Sequence, residues 1–404
     1  MKSMLLLAAG MAAGCGLAPG VDWPNYLGPG WLGATSESPG TGRPERIWEK
    51  KVGMGCGSFA ARGGVVLTMG NDGRNTSHVW CLDARDGKEI WKFAFASDST
   101  RNNQGGGNTP YYGGPNSTPA IDGGNVYVIG RFGQVICLDL RTGKSKWAFD
   151  WAKELPGFTL PTWSYAASPY IHGEHLFIEP GGKGQATVCL DKATGKVVWK
   201  AGDDAASYAM PRIAELGGRP VLLSFNAFGV VGKDPSDGAE RFRQRWRTSY
   251  DINSAALMPV GKDRLFVSSG YGTGCAMFRV GDGGLEQLWK NKNMKNKHTV
   301  SVLHEGAIYG FDEDDLVCLN PDTGERHWKQ GGFGKGALII AGGTLVILGE
   351  NGKFALAEAS QDGFKPYFEE RLFEEFHCWT NPVLANGRIF TKDVKGNVIA
   401  MAVK

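Results

Sequence analysis

The chain has 404 residues, 42% of them hydrophobic, and a net charge of +3 at neutral pH. That much apolar surface can build a packed core, so the 60 glycines serve turns rather than disorder. The weak positive balance argues against a nucleic-acid partner on electrostatic grounds.

The chain opens with Lys2 and the apolar run Met4-Leu5-Leu6-Leu7-Ala8-Ala9, too short to span a membrane and read as an export signal over residues 1–14. Its end, Ala12-Ala13-Gly14-Cys15, resembles the box at which bacterial lipoproteins are cleaved and acylated, with Ala12 where Leu is usual. Cys15 is therefore the expected lipidation site, followed by a tether over residues 15–22. Gly16 after the cysteine favours the outer membrane over the inner. The expectation is an exported, periplasmic monomer that meets the membrane only through its lipid.

From Trp23 onward one cassette recurs: an apolar strand ending in Asp or Asn, a turn on Gly, then a Trp. It first reads Val79-Trp80-Cys81-Leu82-Asp83-Ala84-Arg85-Asp86-Gly87-Lys88-Glu89-Ile90-Trp91. It returns ending at Trp147, at Trp199 and more loosely at Trp246 (with Asp234-Pro235-Ser236-Asp237-Gly238). A degenerate copy, Asp282-Gly283-Gly284 with Trp289, precedes the one ending at Trp328. A period of roughly 40–50 residues marks a radial or solenoidal array. The run Val135-Ile136-Cys137-Leu138 is apolar at consecutive positions, as expected of a strand buried on both faces. Gly143 supplies the positive φ of the turn. A second short hairpin precedes each cassette, so two hairpins make one four-stranded propeller blade.

Counting Trp48, Trp91, Trp147, Trp199, Trp246, Trp289 and Trp328, with an eighth equivalent at Tyr367-Phe368, predicts eight blades in one all-β domain over 23–404. The Trp48 strand has no blade before it, and the stretch 378–403 has three strands and no closing Trp. The N-terminal strand is thus expected to complete the last blade, which removes free sheet edges.

Cys81, Cys137, Cys189 and Cys318 share one cassette position and read as buried small hydrophobes. Cys56 and Cys378 begin the inner strands of neighbouring units and can be paired or free. Gly28-Pro29-Gly30-Trp31-Leu32-Gly33 matches a dinucleotide-binding pattern, but no strand leads into it and no helix follows. His172-Gly173-Glu174-His175 reads as a solvated turn, and no metal site is expected.

The cassette resembles the repeat of pyrroloquinoline-quinone-like propellers, a family with quinoprotein alcohol dehydrogenases and an outer-membrane-assembly lipoprotein. The stretches Asp22-Trp23-Pro24-Asn25-Tyr26-Leu27-Gly28-Pro29, Gly270-Tyr271-Gly272-Thr273-Gly274, Ile308-Tyr309-Gly310-Phe311-Asp312 and Cys378-Trp379-Thr380-Asn381-Pro382-Val383-Leu384 are similar to exported bacterial propellers of planctomycete type. In the dehydrogenases the resemblance implies a quinone under adjacent cysteines with a calcium ion. This sequence has no Cys-Cys pair and no Cys-x-x-Cys-His, so no cofactor is expected, and pyrroloquinoline quinone with calcium is the alternative.

In a propeller, the segments leading into the innermost strands rim one mouth of the channel. Aligned by repeat, they carry Cys56, Asn116, Tyr165, Tyr208, Asn253, His298, Lys335 and Trp379, with Arg212 and His377 adjacent. Such a ring of aromatic, amide and cationic groups suits a small polar or anionic ligand or a peptide. Two lead-in loops stand out: residues 97–115, ending near Tyr111-Tyr112, and the lysine-rich 290–298. The reading is a non-catalytic binding or scaffold module that takes an envelope protein, peptide or glycan at the mouth; the alternative is an oxidoreductase with a cofactor there.

Overall fold

Strand, Asp–Gly turn and returning Trp build eight antiparallel sheets around an axis, seen in a computed structural model that describes residues 20–100, 113–281, 283–374 and 377–404. Blade 1 runs Ala60–Arg62, Val65–Asn71, Thr76–Asp83 and Glu89–Ala96, from the axis outward. Blades 2 to 7 repeat this order, with inner strands Ala120–Asp122, Tyr170–His172, Arg212–Leu216, Met258–Val260, Val302–His304 and Ala337–Ala341. Blade 8 takes Val383–Ala385, Arg388–Lys392 and Asn397–Ala402 from the C-terminus and its outermost strand, Glu45–Lys51, from the N-terminus. Trp48 lies opposite Ala400 in that pairing, so the ring closes as the repeat predicts. The signal, Cys15 and Tyr111-Tyr112 lie outside the described residues.

The cassette's residue types follow from how adjacent blades touch. In the turns of blades 1, 2, 3, 4 and 6 the Asp or Asn side chain accepts a backbone N–H two or three residues on, as Asp83 does from Arg85, Asp139 from Thr142 and Asn320 from Asp322, at 2.8–2.9 Å. The turn Gly has a positive φ, 70° at Gly87 and 68° at Gly143. A second constraint acts on it: a Cβ on Gly143 would sit 2.6 Å from the Trp91 ring, and one on Gly195 2.6 Å from the Trp147 ring. Each indole thus lies flat against the next blade's turn and donates its Nε1–H there, Trp91 to Leu140 O (2.8 Å), Trp147 to Lys192 O (3.1 Å) and Trp328 to Ser360 O (2.8 Å). Trp48 closes the circle by donating to Ala84 O of blade 1 at 3.1 Å.

Blade 4 departs from the expectation. The position facing Cys81, Cys137 and Cys189 in their blades is Trp91, Trp147 and Trp199, but in blade 4 Phe242 faces Gly232 there. Trp246 lies beyond the strand Glu240–Arg245 and donates to Ser269 Oγ of blade 5 at 3.1 Å. The looseness of this copy is a real substitution, not a shifted alignment. In blade 7, Phe368 holds the equivalent place, opposite Leu356. The seven cysteines of the described residues are free thiols, Cys56 and Cys378 included, and the four cassette cysteines are buried beneath their Trp partners.

The channel is not open. Residues 21–37 enter from the face bearing turns such as Gly63-Gly64 and Asn386-Gly387. Asp22 Oδ1 accepts from Gly63 N and from Asn386 Nδ2. Trp23, fully buried, exchanges two backbone hydrogen bonds with Ala61 of blade 1 (2.7 and 2.8 Å), and Pro24 O accepts from Ile121 N of blade 2. The chain turns over Gly28–Trp31 and returns as Ala34–Thr35, which adds a parallel strand inside Ala337–Ala341 of blade 7. Glu37 then caps the Asn386-Gly387 turn by accepting from both backbone N–H groups. The glycine-rich stretch that mimicked a dinucleotide motif is the apex of this plug. Gly28 has φ 68°, and a Cβ there would meet the Trp23 ring at 2.6 Å.

Lys392 of blade 8 has 0% exposure, and its Nζ donates to Thr68 Oγ1 and Met69 O of blade 1, both at 3.1 Å. Burial pulls its pKa from 10.5 down to about 8, with Cys56 and Asp393 opposing. An unfolded lysine holds its proton up to about 10.5, so between these values the unfolded chain binds more protons and stability rises with pH. The full relief is about 3 kcal/mol. Urea melts at pH 7.5 and 10 are expected to show this gain in the wild type relative to Lys392→Met, whose stability lacks that component. Equal pH responses of the two proteins would mean that Lys392 is not strained by burial.

Candidate functional site

The plug determines where a ligand can sit. Tyr26, at its apex, forms part of the floor of a cavity of about 370 Å³ that opens on the face opposite the hairpin turns. The lead-in segments of blades 1 to 8 and two turns between second and third strands supply the walls.

Seven of the ten residues named from the repeat converge here, Asn116, Tyr208, His298, Lys335, His377 and Trp379 among them. Cys56 lines the cavity as well, its thiol pushed up to about 12 by burial. Three residues stand elsewhere. Tyr165 is buried against Trp151, with ring centroids 4.1 Å apart, and its hydroxyl lies 2.6 Å from Thr159 O and 2.8 Å from Pro180 O. Asn253 is fully buried, donating to Asn226 O and accepting from Ser269 Oγ. Arg212 begins its inner strand and is buried beside Tyr170. Their neighbours line the cavity instead: Ala166 and Ser168, Ile252 and Ser254, and Met210. Successive side chains in extended chain point to opposite sides, so a slip of one or two positions in irregular lead-ins exchanges wall for core.

Glu350, absent from the sequence expectation, organises one wall. It is buried at the turn after Thr344–Leu348. Its Oε1 accepts from Trp379 Nε1 at 2.8 Å, its Oε2 from Lys335 N at 3.1 Å, and its backbone carbonyl from His377 N at 2.8 Å. Lys335 Nζ is 3.9 Å from Oε2 and 2.5 Å from Asp314 Oδ1. Burial alone would lower the Lys335 pKa, but Asp314 and Glu350 together raise it. Trp379 is sandwiched between imidazoles, with ring centroids 4.4 Å from His298 and 4.9 Å from His377. Burial, reinforced by Lys297, Lys335 and His377, drives the His298 pKa down to about 3, so its ring is neutral at physiological pH.

The rim is aromatic. Tyr250 (66% exposed) meets Trp163 edge-on at 5.9 Å, and Trp163 lies 6.2 Å from Tyr208. Tyr271 (36% exposed) sits under Lys297 Nζ at 4.7 Å. Tyr250, Asp251, Tyr271, Ser164 and His377 all have left-handed φ, between 54° and 87°, a costly conformation for side-chain-bearing residues that clusters at functional sites. Only the glycine-flanked Tyr271 carried a sequence sign of this. The loop 290–298 is no free basic patch: Lys290 covers the Trp246 ring and Lys295 pairs with Asp312. His172 and His175 lie at a hairpin turn on the opposite face.

The quinone and calcium of the alternative reading do not fit these residues. Glu350 is the cavity's one carboxylate among the described residues, and both its oxygens are engaged. Among the described residues no group of three or more His, Cys, Asp or Glu could hold a metal ion.

Relatives with known names divide between two kinds of protein. A quinoprotein ethanol dehydrogenase of Pseudomonas putida is 30% identical over 165 residues, 37% of this chain and 24% of that enzyme. The match thus spans about a quarter of that dehydrogenase's length. The outer membrane protein assembly factor BamB of Burkholderia pseudomallei is 23% identical over 347 residues, 76% of this chain and 86% of that protein. Among solved structures, BamB from Moraxella catarrhalis superposes with a TM-score of 0.63 at 18% identity, covering 90% of this chain and 98% of that one. Quinohemoprotein alcohol dehydrogenase from Comamonas testosteroni gives 0.69 at 12% identity, covering 97% and 81%. At such identities the structural likeness speaks for the eight-bladed fold alone. The family model described as outer membrane protein assembly factor BamB matches residues 75–330, and the chain belongs to that family of propellers.

Proposed function

We propose that this protein is a non-catalytic scaffold of the bacterial envelope, anchored through an acylated Cys15, that docks a partner protein by its channel-mouth face. The observation that carries the reading is the aromatic rim formed by the exposed Tyr250 and Tyr271 and the half-buried Trp163 around a floored cavity. Such rings supply large apolar area at low entropic cost and act as anchors of interfaces. Tyr250 and Tyr271 are held there by a left-handed backbone, φ 59° and 55°, a conformation that is costly for such residues and clusters at functional sites. An assembly factor among the relatives supports a role in bringing envelope proteins together.

A photo-crosslinking side chain placed at Tyr271, and separately at His172, tests the docking face in cells. Covalent adducts are expected from position 271 only, with the protein in the membrane fraction. Cys15→Ser shifts it to the soluble fraction or leaves the leader uncut. Adducts from His172 and none from Tyr271 would assign the working face to the other side of the disc.

A further inference from the structure

Two nitrogen groups of the mouth cavity stand out, those of Lys297 and His298. Glu350 is satisfied on both oxygens, Ser168 Oγ accepts from Thr118 N, and Ser254 Oγ is spent on Lys297 O. By contrast Lys297 Nζ makes no ion pair with a carboxylate among the described residues; it rests over the Tyr271 ring. His298 Nε2 is buried with no hydrogen-bond partner. A buried polar atom without a partner is a standing cost that a ligand can remove. Around these donors the lining is apolar and planar: Trp379, Tyr208, Trp163, Tyr26, Met210 and Ile252.

We propose that the mouth cavity is a receptor for an organic carboxylate, with its anionic group held between Lys297 and His298 and its flat apolar body against Trp379 and Tyr208. This deepens the docking reading and rests on the same face. The volume of about 370 Å³ lies in the range of small-ligand sites. Among the described residues Lys297 brings the one cavity charge not already met by a carboxylate, and neutral His298 in its Nε2–H tautomer would donate to the second oxygen. An inorganic oxyanion would satisfy the donors but leave the aromatic walls wet. A neutral aromatic would fill the walls and leave Lys297 desolvated without a counter-charge. The carboxylate can belong to a free acid or to an acidic side chain of a docked polypeptide.

Calorimetric titration of the full-length protein with benzoate, benzamide and sodium sulfate tests the assignment. Benzoate is expected to bind at least tenfold more tightly than benzamide or sulfate. Lys297→Gln, on a half-exposed side chain, is expected to weaken benzoate at least tenfold without a change in melting temperature. His298→Asn provides a second variant, and the His298 ring resonances, which shift on benzoate addition, provide a readout that does not depend on a mutant folding. Benzamide binding as tightly as benzoate, or Lys297→Gln leaving benzoate affinity intact, would overturn the proposal. A further titration with a capped Glu-Phe peptide separates the sources: tighter binding of the peptide assigns a polypeptide side chain, tighter binding of benzoate a free acid. Crosslinking at Tyr271 is unaffected by a failure here, so the two readings fall separately.

Discussion

Trp23→Ala is expected to lower stability by about 3–5 kcal/mol, the range for truncating a fully buried large aromatic. Trp23 belongs to the largest core cluster, with Trp48, Phe59, Leu82, Ile339, Leu356, Phe390 and Met401. Its cluster joins blades 1, 7 and 8, and nothing else in the fold can slide into its place, because its ring fills the space left open by Gly28. The loss should extend to the mouth. With the indole gone, the apex that carries Tyr26 loses its support, and the cavity loses its floor. A denaturant melt reads the first effect, and benzoate affinity at a temperature where the variant is folded reads the second. A melting temperature within a degree or two of wild type would show that the plug is an accessory rather than part of the core.

Replacing Glu45–Lys51 by a glycine–serine segment of equal length is expected to have the larger effect. The plug stays tethered, but Asn397–Ala402 loses its pairing partner along the whole strand. That leaves an exposed sheet edge, and the blade 8 to blade 1 seam loses Trp48 and its bond to Ala84 O. Open edges pair with other chains, so the variant should form oligomers and lose protease resistance first in residues 383–402. Light scattering and limited proteolysis check this. A monomer with unchanged melting temperature would mean that the ring holds without its closing strand.

The sequence made the blades legible because each turn needs an acceptor side chain, a glycine and an indole at fixed spacing. Those needs are local, so they leave a local mark. Ring closure was legible for the same reason, through a Trp strand lacking a blade. The plug was not, since residues 21–37 follow no repeat and are fixed by hydrogen bonds to four different blades, at Ala61, Ile121, Ile340 and Asn386. At the mouth, positions in step with the repeat, such as Asn116, Tyr208 and Trp379, were found. Glu350 and Trp163 were not, because they project from turns and loops whose course no periodicity sets. Tyr165 and Asn253 show the complementary error, a correct segment with the alternation of its side chains misplaced.

The order of synthesis gives the closure a further meaning. Residues 37–51 have partners some 350 residues further along the chain: Glu37 caps Asn386-Gly387, and Glu45–Lys51 lies against Asn397–Ala402. Blades 1 to 7 can form as they emerge, but neither the floor of the cavity nor the final blade is complete until residues 386–402 have emerged. Contacts of such sequence separation are slow to form. A floored cavity is thus withheld from any chain that stops short of residues 386–402.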